Sequence, residues 1–228
     1  MKGFLLSVLL GAVLSVSLAM PVEAASCDVP ADPPDDGQAR HFGVFATVPG
    51  DPSQLALDGE IGPATAEDFQ CALRGTPQAR LLVLNSTGGA VDAALDIAYE
   101  VQRLGISTYV PQGSYCFSAC TFIFLAGAQR AAIGPLGVHQ LRYDRGGKAH
   151  VKVRQALRAF GADSAVFTAM MLAPPDELFV FNAHSLAHLN INNGDPLASV
   201  GGMPEGGAPS PGPPAPYDGE WHLAGFAR

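Results

Sequence analysis

The chain has 228 residues, a formal net charge of −8 and 48% hydrophobic side chains. An acidic chain without basic clusters excludes a nucleic-acid backbone as its natural partner. The apolar content and the length suit one domain with a sizeable core and exclude a wholly disordered chain.

The N-terminus reads as a targeting segment. Lys2 supplies a basic start, residues 4–20 are an apolar run, and small residues stand where cleavage after Ala24 or Ala25 would need them. Residues 1–24 are therefore expected to be a signal peptide and the location periplasmic or secreted. Retention of the segment as a membrane anchor is the competing reading, because the run is nearly long enough to span. Cleavage after Ala24 takes away Lys2 and Glu23 together, so the charge stays at −8. Lipid attachment at Cys27 is disfavoured, since Ala24-Ala25-Ser26 lacks the leucine usual before such a cysteine. Residues 25–40, rich in Pro and Asp, read as a flexible leader.

Residues 42–48 alternate loosely and predict a strand, and residues 55–61 a second, with Gly59 marking a bulge or a close approach. Pro63 opens a helix expected to run to about Arg74, with Glu67 and Asp68 near its positive end. Residues 81–85 are a short continuous apolar run, as in a strand buried on both faces. Val91, Ala94, Leu95, Ala98, Val101 and Leu104 then repeat at helical spacing, and Gly105 ends the pattern. Residues 106–110 read as the next strand. Strand, Gly-Gly turn, helix and strand make a parallel crossover unit.

Residues 117–126 are apolar almost all round, which predicts a buried helix. Residues 130–133 and 137–141 read as strands, and residues 142–149 as a polar loop. Residues 151–160 and 164–172 read as helices, the second stopped by Pro174-Pro175. Residues 179–181 suit a strand and 183–189 a short helix. The stretch 201–216 holds eleven Gly or Pro in sixteen residues, so 195–228 is expected to be a disordered tail. Trp221 lies within it. The folded domain is thus placed at 41–194.

The chemistry-bearing residues concentrate between Ser86 and His139. A serine hydroxyl needs a base to take its proton, and a neutral imidazole suits that task. Ser118 and His139 are twenty-one residues apart, joined through a buried helix and a strand that could return one to the other. Asp176 is the first candidate to orient the ring, and Glu177 the second. A developing oxyanion needs fixed N–H donors. Gly88 and Gly89 open a helix without obstructing side chains, and the amide of Ala119 follows the serine at another helix start.

Each feature has an ordinary structural explanation. A serine before a helix is commonly an N-cap, a lone histidine on an apolar strand is commonly a core residue, and Gly-Gly after a strand is commonly a tight turn. Asp176 could equally cap a short helical turn. His184 and His188 stand at i and i+4, but two ligands without a third make no convincing metal site, and neither a metal nor another cofactor is expected.

Export permits disulfides, and four cysteines allow three pairings. Cys27 with Cys71 and Cys116 with Cys120 is the preferred set. An i, i+4 pair on a regular helix has awkward Cβ directions, so small buried residues beside the serine remain the alternative reading of Cys116 and Cys120.

Residues 85–89 (Asn-Ser-Thr-Gly-Gly), Ala93-Ala94, residues 106–108, Ser118 before an apolar helix ending in Ala126-Gly127, Arg130 and residues 138–140 (Val-His-Gln) together resemble the Clp-type serine peptidase fold of the crotonase superfamily. The resemblance covers roughly residues 55–190 and is nearest to exported, signal-peptide-peptidase-like and periplasmic members. Thr87 stands where that family has proline, and Phe117 where it has a small residue. The resemblance implies an α/β spiral of repeated strand-strand-helix turns. It implies Ser118 as nucleophile, His139 as base, Asp176 as third member, and Gly88 or Gly89 with Ala119 as oxyanion hole. It also implies a peptide or protein substrate and a homo-oligomer. The expected activity is that of an exported serine peptidase. The alternatives are a catalytically silent domain that binds a peptide or partner protein and, less suited to an exported chain, an acyl-thioester enzyme.

Overall fold

The computed structural model describes residue 27, residues 38–142 and residues 147–200. The expected signal peptide, the Gly/Pro-rich stretch 201–216 and Trp221 lie outside the described residues.

The chain enters through a small hairpin, β1 (His41–Phe42) and β2 (Phe45–Val48). One continuous strand was expected here. Gly43 turns the chain at φ 58°, and Phe42 pairs back on Phe45. Strand β3 (Asp51–Asp58) starts four residues before the apolar stretch that announced it and pairs antiparallel with β2. Helix α1 (Thr65–Gly75) begins two residues after Pro63 and buries Phe69, whose ring lies 5.1 Å from that of Phe45. Cys71 on α1 is bonded to Cys27.

Strand β4 (Leu81–Asn85) pairs parallel with β3 and is buried along nearly its whole length, as its unbroken apolar sequence requires. Helix α2 (Val91–Leu104) carries the chain back over the sheet on Ala94, Ala98 and Val101, each fully buried. Gly105 closes it in the left-handed conformation, which spares a Cβ its steric penalty. Leu104, counted in the buried stripe from its spacing, is 40% exposed at the last turn. Strand β5 (Ser107–Val110) then adds parallel to β4.

A second, three-stranded sheet starts with β6 (Cys116–Phe117), and helix α3 (Ala119–Ala126) follows after a single residue. All eight residues of α3 are buried, so it has no polar face by which its start could be phased. That is why the expected helix began two residues early. Strand β7 (Arg130–Ala132) extends the first sheet, which runs β1-β2-β3-β4-β5-β7. Strand β8 (Leu136–Val138) pairs parallel with β6, and β9 (Phe179–Val180) pairs antiparallel with β8. The two sheets meet where Ser86, just past β4, bridges Cys116.

Helices α4 (Lys148–Ala159) and α5 (Ser164–Leu172) cover α3 and β9, and α6 (Ala183–His188) follows. A 3-10 turn, Pro196–Val200, packs against β4 and β5, so the described fold reaches past 194. Arg130 is 5% exposed and has backbone carbonyls for partners: Nη1 donates to Leu125 and Gly127, Nε to Ile191 and Nη2 to Asn190. Burial lowers its pKa from the ordinary arginine value. The side chains of Asn192 and Asn193 accept from the amides of Ala132 and Arg130 along the outer edge of β7.

The architecture is mixed α/β, with a main core shared by both sheets and the helices and a small second cluster of Phe117, Leu178 and Val180. Among the described residues no helix is long and apolar enough to cross a membrane. Two disulfides, Cys27–Cys71 and Cys116–Cys120, suggest an oxidising, exported compartment.

Candidate active site

Ser118 occupies the single residue between β6 and α3. Its φ of 53° and ψ of −123° lie where L-residues are rarely found, a conformation that costs about 1–3 kcal/mol and persists only where its surroundings enforce it. The enforcement is visible on every side. The Phe117 amide donates to Ser86 O at 3.0 Å, the Ser118 amide to Gly137 O at 2.8 Å, and the Thr121 amide to Ser118 O at 3.0 Å. Thr121 Oγ1 lies 2.8 Å from Gly137 O and 3.3 Å from Cys116 O. Cys116 and Cys120 are bonded across the turn with their Cα atoms 5.3 Å apart. The objection that such a pair fits a regular helix poorly does not arise, because Cys116 belongs to β6 and only Cys120 to α3.

A sharp strand-to-helix turn of this kind presents the serine hydroxyl outward. The hydroxyl makes no capping bond to α3, so Ser118 is not serving as an N-cap. His139 comes from the neighbouring strand. In the β6–β8 pairing Phe117 lies beside Gly137, so Ser118 and His139 leave the C-terminal ends of adjacent parallel strands. Both are half-buried and both line one cavity of about 810 Å³, together with Thr87, Gly88, Gly89 and Arg142. That volume falls within the usual range for ligand pockets.

The imidazole has a defined orientation. Nδ1 lies 2.7 Å from the backbone carbonyl of Gln140, and a carbonyl only accepts, so Nδ1 carries the proton and Nε2 has the free lone pair when the ring is neutral. Gln140 is itself fixed: its amide donates to Ala173 O at 2.9 Å and its side-chain Nε2 to Met171 O at 2.6 Å. Asp176 is elsewhere engaged. Its carboxylate pairs with Nη1 of Arg142, and its side chain is 79% exposed. Among the described residues no carboxylate bonds His139. Glu177 donates its amide to Pro174 O at the end of α5. Sequence reasoning looked for a side-chain carboxylate and so passed over the Gln140 carbonyl. No residue type signals it, because the partner is a main-chain carbonyl.

The glycine pair separates into two roles. A Cβ on Gly88 would stand 2.6 Å from Phe117 O and 2.9 Å from Ser118 Cβ, so the bare backbone here is what lets the serine turn approach. The Gly88 amide already donates to Ser86 Oγ at 3.1 Å. A Cβ on Gly89 would stand 2.1 Å from Ile61 O, because residue 61 bridges the turn. The Gly89 amide has no acceptor among the described residues, and the Ala119 amide, first in α3, has none within its helix. One such N–H group thus directly follows Ser118, and the other belongs to Gly89, which lines the same cavity.

Elsewhere, His184 and His188 stack with ring centroids 5.3 Å apart, and no group of three metal-ligating side chains occurs among the described residues. No family model matches the sequence. No curated protein matches it either. Among solved structures, a serine-to-alanine mutant of a membrane-bound stomatin-specific protease is similar over 60% of this chain and 75% of its own, at 16% identity and a TM-score of 0.45. A likeness that slight carries no argument about mechanism.

Proposed function

We propose that the chain is an exported serine hydrolase, a peptidase acting on peptides or unfolded segments, built as a Clp-type spiral and working in the periplasm or outside the cell. The observation that carries this reading is Ser118: an uncapped hydroxyl on an enforced positive-φ turn, sharing a cavity with an oriented imidazole.

In this reading His139 Nε2 takes the proton of Ser118 Oγ as the oxygen bonds to the scissile carbonyl carbon. The carbonyl oxygen becomes an oxyanion held by the amides of Gly89 and Ala119, each such donor being worth about 10²–10³ in rate. Collapse passes the proton from His139 to the leaving amine and leaves an acyl-serine. Water, deprotonated by the same imidazole, releases the acid. The Gln140 carbonyl takes the orienting role first sought in Asp176.

A serine-directed fluorophosphonate tests this. Labelling at Ser118 is expected, lost in Ser118→Ala and strongly slowed in His139→Ala. That no carboxylate among the described residues bonds His139 favours a second reading, a silent domain that binds a peptide or partner in the same cavity. Absence of labelling with retained peptide binding would decide for it.

A further inference from the structure

The Cys116–Cys120 bond encloses Ser118 in a five-residue covalent ring. It joins the last strand residues before the serine to the first helical turn after it. Both cysteines are fully buried, at 0% exposure, within the core that also holds Ala119 and Ile123. Nothing in the chemistry of acyl transfer requires a disulfide here. Closing a five-residue loop is worth only about 2 kcal/mol in the chain-entropy picture, less than a longer loop, because fewer unfolded conformations are removed. The ring does constrain something specific: the unfavourable backbone of Ser118, which must hold against a strain of about 1–3 kcal/mol.

We infer that the Cys116–Cys120 disulfide is a positioning device for the nucleophile, and that its reduction switches the site off. With the bond intact, β6 and α3 are tied on both sides of Ser118. When it is cut, two thiols must sit at van der Waals separation where one covalent bond sat. Neither sulfur has room to retreat into solvent, so α3 and β6 move apart around Ser118. A displacement on the order of 1 Å between reacting groups costs about 10²-fold in rate. The redox step is balanced by a small external dithiol. Two electrons enter, the S–S bond breaks, each sulfur takes one proton, and the dithiol leaves as its own disulfide. A small disulfide such as oxidised glutathione reverses it. Burial of both sulfurs makes the exchange slow and confines it to moments when the turn opens. The oxidised, exported form is then the competent one, and a chain still in a reducing compartment is held inactive.

The consequence for catalysis rests on the hydrolase reading; the consequence for geometry does not, and the experiment separates them. The full-length protein is treated with dithiothreitol, free thiols at Cys116 and Cys120 are counted by alkylation and peptide mass, and two properties are measured. One is amide exchange at Ser118, whose N–H donates to Gly137 O in the oxidised form. The other is fluorophosphonate labelling, resolved into a maximal rate and an apparent affinity. Reduction is expected to raise Ser118 exchange at least tenfold. It should lower the maximal labelling rate about ten- to a hundredfold while leaving the affinity within about twofold, since only the reacting atom moves. Oxidised glutathione should restore both. Should the buried sulfurs resist the reductant, Cys116→Ala/Cys120→Ala supplies the unlinked state for the same two readouts. Cys27→Ser/Cys71→Ser is expected to respond like the parent. If neither form is labelled but Ser118 exchange still rises on reduction, the hydrolase reading fails and the positioning role stands. Unchanged Ser118 exchange with both thiols free overturns the inference, whatever the labelling does.

Discussion

Replacing Gly88 by alanine tests the packing of the serine turn directly. The residue sits at φ 95°, and a Cβ there would lie 2.6 Å from Phe117 O, 2.9 Å from Ala119 N and 2.9 Å from Ser118 Cβ. The backbone conformation alone costs an L-residue about 1–2 kcal/mol. Relieving the overlap requires the Phe117–Ala119 backbone to give way by roughly half an ångström, which adds about 1–3 kcal/mol of overpacking. The total, about 3 kcal/mol, corresponds to a melting-point loss of roughly 6–12 °C for a chain of this size. Gly105→Ala is the matched control. It sits at φ 65° with nothing within 4 Å of its Cβ, so it carries the backbone term without the contact. It should lose about 1 kcal/mol, roughly 2–4 °C, and label normally. Thermal unfolding by circular dichroism gives the first quantity and fluorophosphonate labelling the second, with Gly88→Ala expected to label at least about tenfold more slowly. A Gly88→Ala protein that melts no lower than Gly105→Ala would show that the turn is not packed as described.

Ser118→Gly should remove labelling and yet raise the melting temperature by a few degrees, about 1 kcal/mol, because glycine adopts positive φ without strain; a lowered melting temperature would contradict the strain assigned to Ser118. Asp176→Asn should change labelling by no more than about threefold, whereas loss of a triad carboxylate costs about 10⁴; a drop of that size would return Asp176 to the site. Arg130→Met should destabilise the protein by about 3–5 kcal/mol in urea unfolding, since it leaves the buried carbonyls of Leu125, Gly127 and Ile191, and the more exposed one of Asn190, without their donor. A loss below about 1 kcal/mol would mean those carbonyls find other partners.

What could be read from the sequence followed from how strongly local patterns are imposed. Helix α2 has a phased apolar stripe and a glycine stop, and β4 has an apolar run too short for a helix, so both were located to within a residue. The start of α3 was missed because a helix buried on every face carries no phase. The hairpin β1–β2 was merged into one strand because Gly43 gives only a weak signal of reversal. At the site, Ser118, His139, Gly88 and Gly89 could be named from residue type and spacing, and the structure brings them to one cavity. The division of labour between Gly88 and Gly89 depends on which amide is already bonded, and the partner of His139 is a main-chain atom that every residue possesses. Neither is written in residue identity. Asp176 was chosen for its charge, and the same charge is what draws it to Arg142.

The margin of the large sheet at β7 shows how a chain can be kept apart from its copies. An unpaired strand offers its peptide groups to any passing strand and so invites stacking into fibrils. Here Asn192 and Asn193 lay their amide side chains against Ala132 and Arg130, taking up edge hydrogen-bonding groups that a further strand would otherwise use. The opposite margin, β1, is two residues long, too short to template anything. Among the described residues, neither border therefore offers a long bare strand to recruit another.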